Sequence, residues 1–184
     1  ADVFADEIPG GGELVNDLVI QGLEARGHHV RKIKSELVTE EDFGHMVTND
    51  QHIILANHLL LPIEIKEMIK RIWLGAPSWT FVLYEHDHKY VIGRDPSQYE
   101  NFTVPDKQFL NGEGLYLTSI VFCQSKIHKD VLLRNIPRAN AVNLECSVWS
   151  EDFIKAAENL KINKTKNAAI LKSNNPTKNQ LVAE

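Results

Sequence analysis

Two cysteines are all that this chain of 184 residues carries, Cys123 within an apolar run and Cys146. They lack CxxC spacing, which argues against a zinc or redox motif. The plain expectation is two buried thiols in a reducing compartment. Basic residues are also in short supply: 20 Lys and Arg against 25 Asp and Glu leave a net charge of −5. A general nucleic-acid surface is therefore not expected, and no nucleic-acid partner is assigned. No apolar run approaches the ~20 residues that span a bilayer. No signal-peptide pattern is read ahead of the abrupt start at Ala1. The expected location is the cytoplasm, at most peripheral to a membrane. Internal repeats, low-complexity tracts and a GxSxG elbow are missing as well.

What is present reads as a folded domain. Hydrophobic residues make up 43% and charged residues 24%, a globular balance. Glu13 to Arg26 predicts a helix, with Leu14, Val15, Leu18, Val19 and Leu23 on one face and Gly27 as its stop. Ala1–Phe4 reads as the tail of a strand, and His29–Ile33 alternates like one. Ser35–Asp50 is polar. Strands are predicted at 52–57, 79–84, 119–123 and 141–144. Between them lie helical faces: Pro62 opens one with Ile65, Met68, Ile69 and Ile72, and Ile127 to Asn135 forms another. Residues 85–115 are the least regular. Ser150 caps a further helix. Asn159–Asn167 reads as a lysine-rich linker, Ala168–Leu171 as a new strand, and Thr177 with Gln180 as a capping box.

Strands alternating with helices predict an α/β, Rossmann-like parallel sheet with helices on both faces. Ligands in such sheets bind beyond the carboxyl ends of the strands, so the loops there hold the candidates. Gly10-Gly11-Gly12-Glu13 opens a helix, where free amides attract phosphate or carboxylate. It is neither a Walker loop nor a full GxGxxG, and a tight turn explains it equally well. Glu85-His86-Asp87-His88 follows the strongest strand and concentrates proton-transfer groups. Alternate residues there point opposite ways, so no metal is assigned. The plain alternative is a solvated loop. Asn57-His58 and Gln124-Ser125-Lys126 also follow strands, with a turn and a helix cap as their plain alternatives. Lys172 and Lys178 flank the last helix start, where they could neutralise phosphates.

The order of these motifs resembles the GT-B glycosyltransferases of the family-4 type. Gly10-Gly11-Gly12-Glu13 looks like the glycine loop after that family's first strand, and Leu23 to Val30 matches its Leu-x-x-Arg-Gly-His-x-Val pattern. His86-Asp87 is similar to its His-Asp element, Gln124-Ser125 to its serine-bearing turn, and Lys172 and Lys178 to the basic pair opening its C-terminal domain. The family usually has arginine where Lys172 stands.

The resemblance implies a Rossmann-like N-terminal domain over residues 1–160. A linker and the start of a truncated donor-binding domain would follow over 161–184. It implies retaining transfer of a sugar from a nucleotide-sugar to a glycan, lipid or protein acceptor. No cofactor or catalytic metal is implied, and the missing C-terminal domain is a required partner. His86 and Asp87 would be catalytic. Gly11, Gly12, Lys172 and Lys178 would bind donor phosphates. Glu13, Asn57, His58, Glu85, His88 and Ser125 would lie on the acceptor side. Residues 35–50 and 88–115 would form the acceptor loops. The alternatives are a noncatalytic Rossmann-like ligand-binding or regulatory domain, and a sugar-nucleotide epimerase of similar form.

Overall fold

A computed structural model describes residues 1–8, 10–49, 52–73, 80–110, 113–145 and 148–160. The chain divides into two compact units, Ala1–Trp149 and Ser150–Glu184. Trp79, Cys146 and everything from 161 onward, including Lys172, Lys178 and the Thr177–Gln180 box, lie outside the described residues.

The first unit is built on four parallel strands in the order β1 (His52–Leu55), β2 (Thr80–Glu85), β3 (Ile120–Cys123) and β4 (Asn140–Asn143). The α/β, Rossmann-like reading of the sequence therefore holds. Parallel neighbours need long crossovers, and the sequence spacing supplies them. α3 (Ile63–Trp73) joins β1 to β2, the segment ending in α4 (Glu113–Thr118) joins β2 to β3, and α5 (Lys126–Asn135) joins β3 to β4. The register sets Leu55 beside Leu83, Leu83 beside Val121, and Glu85 beside Cys123.

Side chains alternate along each strand, so this row faces one side of the sheet. There Leu55, Phe81, Leu83, Val121 and Cys123 form a core with Ile65 and Ile69 of α3, Leu115 and Tyr116 of α4, and Leu132 of α5. Fully burying one such aliphatic side chain contributes roughly 1.5–3 kcal/mol. The other row carries Val82, Tyr84, Ile120 and Phe122. Its edges are open: Ile54 is 40% exposed and Val142 38%. α1 (Gly11–Glu24) reaches this side through Gly12 and Asn16, which both meet His86.

Several elements depart from the sequence reading. The polar stretch contains α2 (Glu40–Asn49), with Phe43 and Met46 buried three residues apart. Thr39 and Asp42 start it reciprocally: the Asp42 N–H donates to Thr39 Oγ1 at 3.0 Å and the Thr39 N–H to Asp42 Oδ2 at 3.1 Å. This is a capping box with Asp in the usual Glu position. His29–Ile33 enters no strand of the sheet, and Ile33 O accepts from the Ala1 ammonium at 3.0 Å. The segment lies just ahead of Ser35, whose N–H donates to Ala1 O at 2.7 Å. The expected apolar face of α1 is only partly covered, with Val15 buried and Leu14 50% exposed.

Gly27 ends α1 as expected. Its φ of 85° is the left-handed conformation that glycine adopts without strain. The Gly27 N–H reaches Glu24 O at 2.9 Å and the His28 N–H reaches Leu23 O at 3.2 Å, a Schellman closure. The irregular segment after β2 runs through short 3₁₀ turns. It is pinned to the end of α5: Asn135 Nδ2 donates to Phe102 O at 2.9 Å, and Asn135 Oδ1 accepts from the Val104 N–H at 2.8 Å.

The second unit shows α6 (Glu151–Asn159), capped by Ser150, whose Oγ accepts from the Phe153 N–H at 3.2 Å. All its residues are exposed, Ile154 and Phe153 included.

Candidate functional site

The carboxyl ends of β1, β2 and β3 deliver Asn57, His86 and Gln124, and the start of α1 comes up against them. Alternation explains the placement of His86. Glu85 follows Leu83 into the core, so His86 turns to the opposite side with Tyr84, their ring centroids 4.5 Å apart. Gln124 follows Phe122 to that same side.

His86 is held at both ring nitrogens. The Gln124 amide donates to Nδ1 at 3.0 Å, and Nε2 lies 2.7 Å from Asn16 Oδ1. With Nδ1 accepting, the ring proton sits on Nε2 and donates to Asn16. Burial, then the Lys89 charge, pushes the His86 pKa down to about 4. The ring is therefore neutral at pH 7, in one tautomer, with neither nitrogen free. It is a fixed group rather than an available proton carrier.

The three glycines have different surroundings. A Cβ on Gly12 would come within 3.2 Å of the His86 ring. One on Gly10 would collide with the Glu13 carboxylate, and one on Gly11 would meet nothing within 4 Å. Glu13 thus folds back over the start of its own helix, where a negative charge is favourable. Its Oε1 accepts from Asn57 Nδ2 at 3.2 Å, and Asn57 O in turn accepts from Ser35 Oγ at 3.0 Å. Glu13 and Asn57, both named from the sequence, are brought together. So are Gly12 and His86.

The other candidates go elsewhere. Asp87 is bound to two cations, Lys89 Nζ at 2.5 Å and Arg94 Nη1 at 3.3 Å, and so ties down the turn after β2. His88 turns away from His86. Its Nδ1 lies 3.1 Å from Tyr90 Oη, and its ring meets that of His128 edge-on at 4.6 Å. Burial, first of all, brings the His88 pKa down to about 4 as well. Glu85 and His58 are buried in the core rather than lining the loop surface. Ser125 caps α5, its Oγ accepting from the His128 N–H at 3.1 Å. Of the two residues that hold His86, Gln124 belongs to a candidate loop of the sequence and Asn16 does not. Asn16 carried no signal beyond being polar within an apolar helical pattern. Within the Gln124-Ser125-Lys126 loop it is Gln124 that reaches the site, while Ser125 takes the helix-cap role.

Among the described residues, no three His, Cys, Asp or Glu side chains converge to hold a metal ion. None of their helices is long and apolar enough to cross a membrane. What the arrangement offers is a helix start with free amides, an open glycine and a fixed neutral imidazole at the carboxyl edge of a parallel sheet. The Glu13 carboxylate already lies over that helix start, so an anionic ligand there would have to displace it. No family model, curated protein or solved structure matches the chain.

Proposed function

We propose that this chain is the acceptor-side half of a retaining GT-B glycosyltransferase that uses a nucleotide-sugar donor. The supporting observation is the contact between Gly12, in the first turn of α1, and the His86 ring beyond β2. It sets free helix amides and a fixed imidazole side by side, as a diphosphate and its attached sugar require. In this reading Gly11 and Gly12 approach the donor diphosphate. His86 is a rigid neutral wall against the transferred sugar, and Asp87 holds the turn that carries it. Glu13 and Asn57 face the acceptor. Lys172 and Lys178 belong to the donor-binding half and neutralise phosphate.

The test is a screen of the natural gene product for nucleotide release from sugar nucleotides, with and without acceptors. Release is expected, and His86→Ala should abolish it while the melting temperature stays within a few degrees. A new glycosidic bond in the product separates transfer from epimerisation. Silence with every donor would retire the enzyme reading. One observation favours the rival, a noncatalytic ligand-binding domain: both nitrogens of His86 are already engaged. Nucleotide binding without turnover would decide for it.

A further inference from the structure

Directly behind His86, on the core side of β2, the molecule buries polar groups that sugar transfer does not use. The Glu85 side chain is 0% exposed and that of Lys89 3%. Glu85 Oε1 accepts from the Lys89 N–H at 3.2 Å, while Lys89 Nζ stays 3.8 Å away. Glu85 Oε2 is bonded to Tyr116 Oη, and Tyr116 Oη lies 3.3 Å from His58 Nε2. The Lys89 ammonium is closest to Asp87, at 2.5 Å. Among the described residues, the cation set against Glu85 is thus already paired with another carboxylate.

Tyr90 and Cys123 also face Glu85. Burial, with the Glu85 charge behind it, pushes Cys123 up to about 12 and raises Tyr90 as well, so both keep their protons. His58 faces Lys89, Lys66 and Asp2, and burial leaves it neutral with a pKa of about 4.

Two proton arrangements fit these heavy atoms. With Glu85 protonated, its O–H donates to Tyr116, and the Tyr116 O–H donates to His58 Nε2. With Glu85 ionised, Tyr116 donates to Glu85, and His58 Nε2–H donates to Tyr116. The first leaves no unpaired charge in the core; the second leaves two carboxylates competing for Lys89.

We propose that Glu85, Tyr116 and His58 hold one dissociable proton between them, and that its loss to solvent releases a lock on the turn carrying His86. On release one proton passes to water and the rest shift along the chain: Glu85 gives its proton to Tyr116, Tyr116 gives its own to His58 Nε2, and His58 loses its Nδ1 proton to solvent, so that Glu85 alone is left with one proton fewer. The charge left on Glu85 draws Lys89 Nζ away from Asp87, and Asp87 is left with Arg94 alone. The turn from Glu85 to Lys89 then reshapes, and His86 shifts with it. Burial already places Glu85 at about 7, so the lock works near neutrality. The device operates whatever ligand His86 faces.

The test is an NMR titration of isotope-labelled protein from about pH 5.5 to 8.5. It follows the Glu85 carboxyl carbon and the ring nitrogens of His58 and His86. All three are expected to move with one shared midpoint. Glu85→Gln should abolish the movement of both rings in this range. Tyr116→Phe should uncouple His58 while Glu85 still titrates. A Glu85 carboxyl already ionised at the acid end overturns the proposal. So does a Glu85 that titrates while His86 stays still, or a His58 that follows Glu85 in Tyr116→Phe. The shared midpoint in the unmodified protein decides even if the Glu85 variant does not fold.

Discussion

Gly12 lies directly against the imidazole of His86. A methyl group added at Gly12 would sit 3.2 Å from ring atoms Cγ and Cδ2, while one at Gly11 would meet nothing within 4 Å. The two neighbours therefore make opposite predictions. Gly12→Ala pushes on a ring fixed by Asn16 and Gln124, which cannot yield freely. It should destabilise the fold by about 1–2 kcal/mol, as overpacking does. Gly11→Ala adds a better helix former in open space and should be neutral or stabilise by up to about 1 kcal/mol. Urea denaturation of both variants measures this. Equal midpoints would mean that the helix start does not rest on His86.

Much of the frame could be read from local pattern. The β-branched and aromatic run from Thr80 to Tyr84 is a strand because a buried parallel strand favours such residues on both faces. Ile65 and Ile69 are buried because they repeat one helical turn apart. Gly27 ends α1 because no other residue adopts its φ so readily. The helix α2 was missed because its few apolar residues are diluted by charge, although Thr39 and Asp42 announced its start.

The His29–Ile33 segment stays outside the four-stranded sheet, its partly buried residues Val30 and Ile33 do not alternate, and its main-chain partner is the chain start, with Ile33 O accepting from the Ala1 ammonium at 3.0 Å. A strand-like pattern in sequence does not say whether a partner stands beside it. The site was legible only in part, for a related reason. His86 and Gly12 could be named because each sits in a loop with its own signal. Asn16 and Gln124 acquire meaning only when a helix and a strand end, 70 and 38 residues from His86 in sequence, close on its ring. The buried Glu85–Tyr116–His58 chain is likewise tertiary: nothing near Tyr116 in sequence marks it as a partner of Glu85.

Asn16 holds the Nε2 side of the His86 ring. Its Oδ1 accepts from His86 Nε2 at 2.7 Å, and its Nδ2 has no hydrogen-bond partner among the described residues. Asn16→Asp is nearly isosteric and gives up an amide that bonds to nothing. It places a carboxylate against the ring in a low-dielectric site, which favours imidazolium. The His86 pKa should rise from about 4 past its ordinary 6.5. Ring-nitrogen NMR against pH reads this directly. A His86 still neutral at pH 6 in the variant would break the link between the two side chains.

Acid should unfold this protein through its histidines. Burial lowers His58, His86 and His88 to about 4 from an ordinary 6.5, and lowers His128 in the same direction. Between pH 6.5 and 4 the unfolded chain takes up protons that the folded chain refuses. Stability is then full above pH 6.5 and is lost as pH falls through that window. Glu85 works the other way. Its pKa is raised from 4.5 to about 7, so its contribution is full below pH 4.5 and is lost as pH rises toward 7. Three or more histidine protons outweigh one carboxyl proton. The net uptake on unfolding near pH 5 is about two protons, or about 2–3 kcal/mol per pH unit. Urea midpoints should therefore fall steeply from pH 6.5 to 5. His88→Gln should flatten the slope by about one proton. A midpoint that stays level across this range would mean that the buried rings are protonated in the folded state, and the neutral His86 on which the site depends would be lost with them.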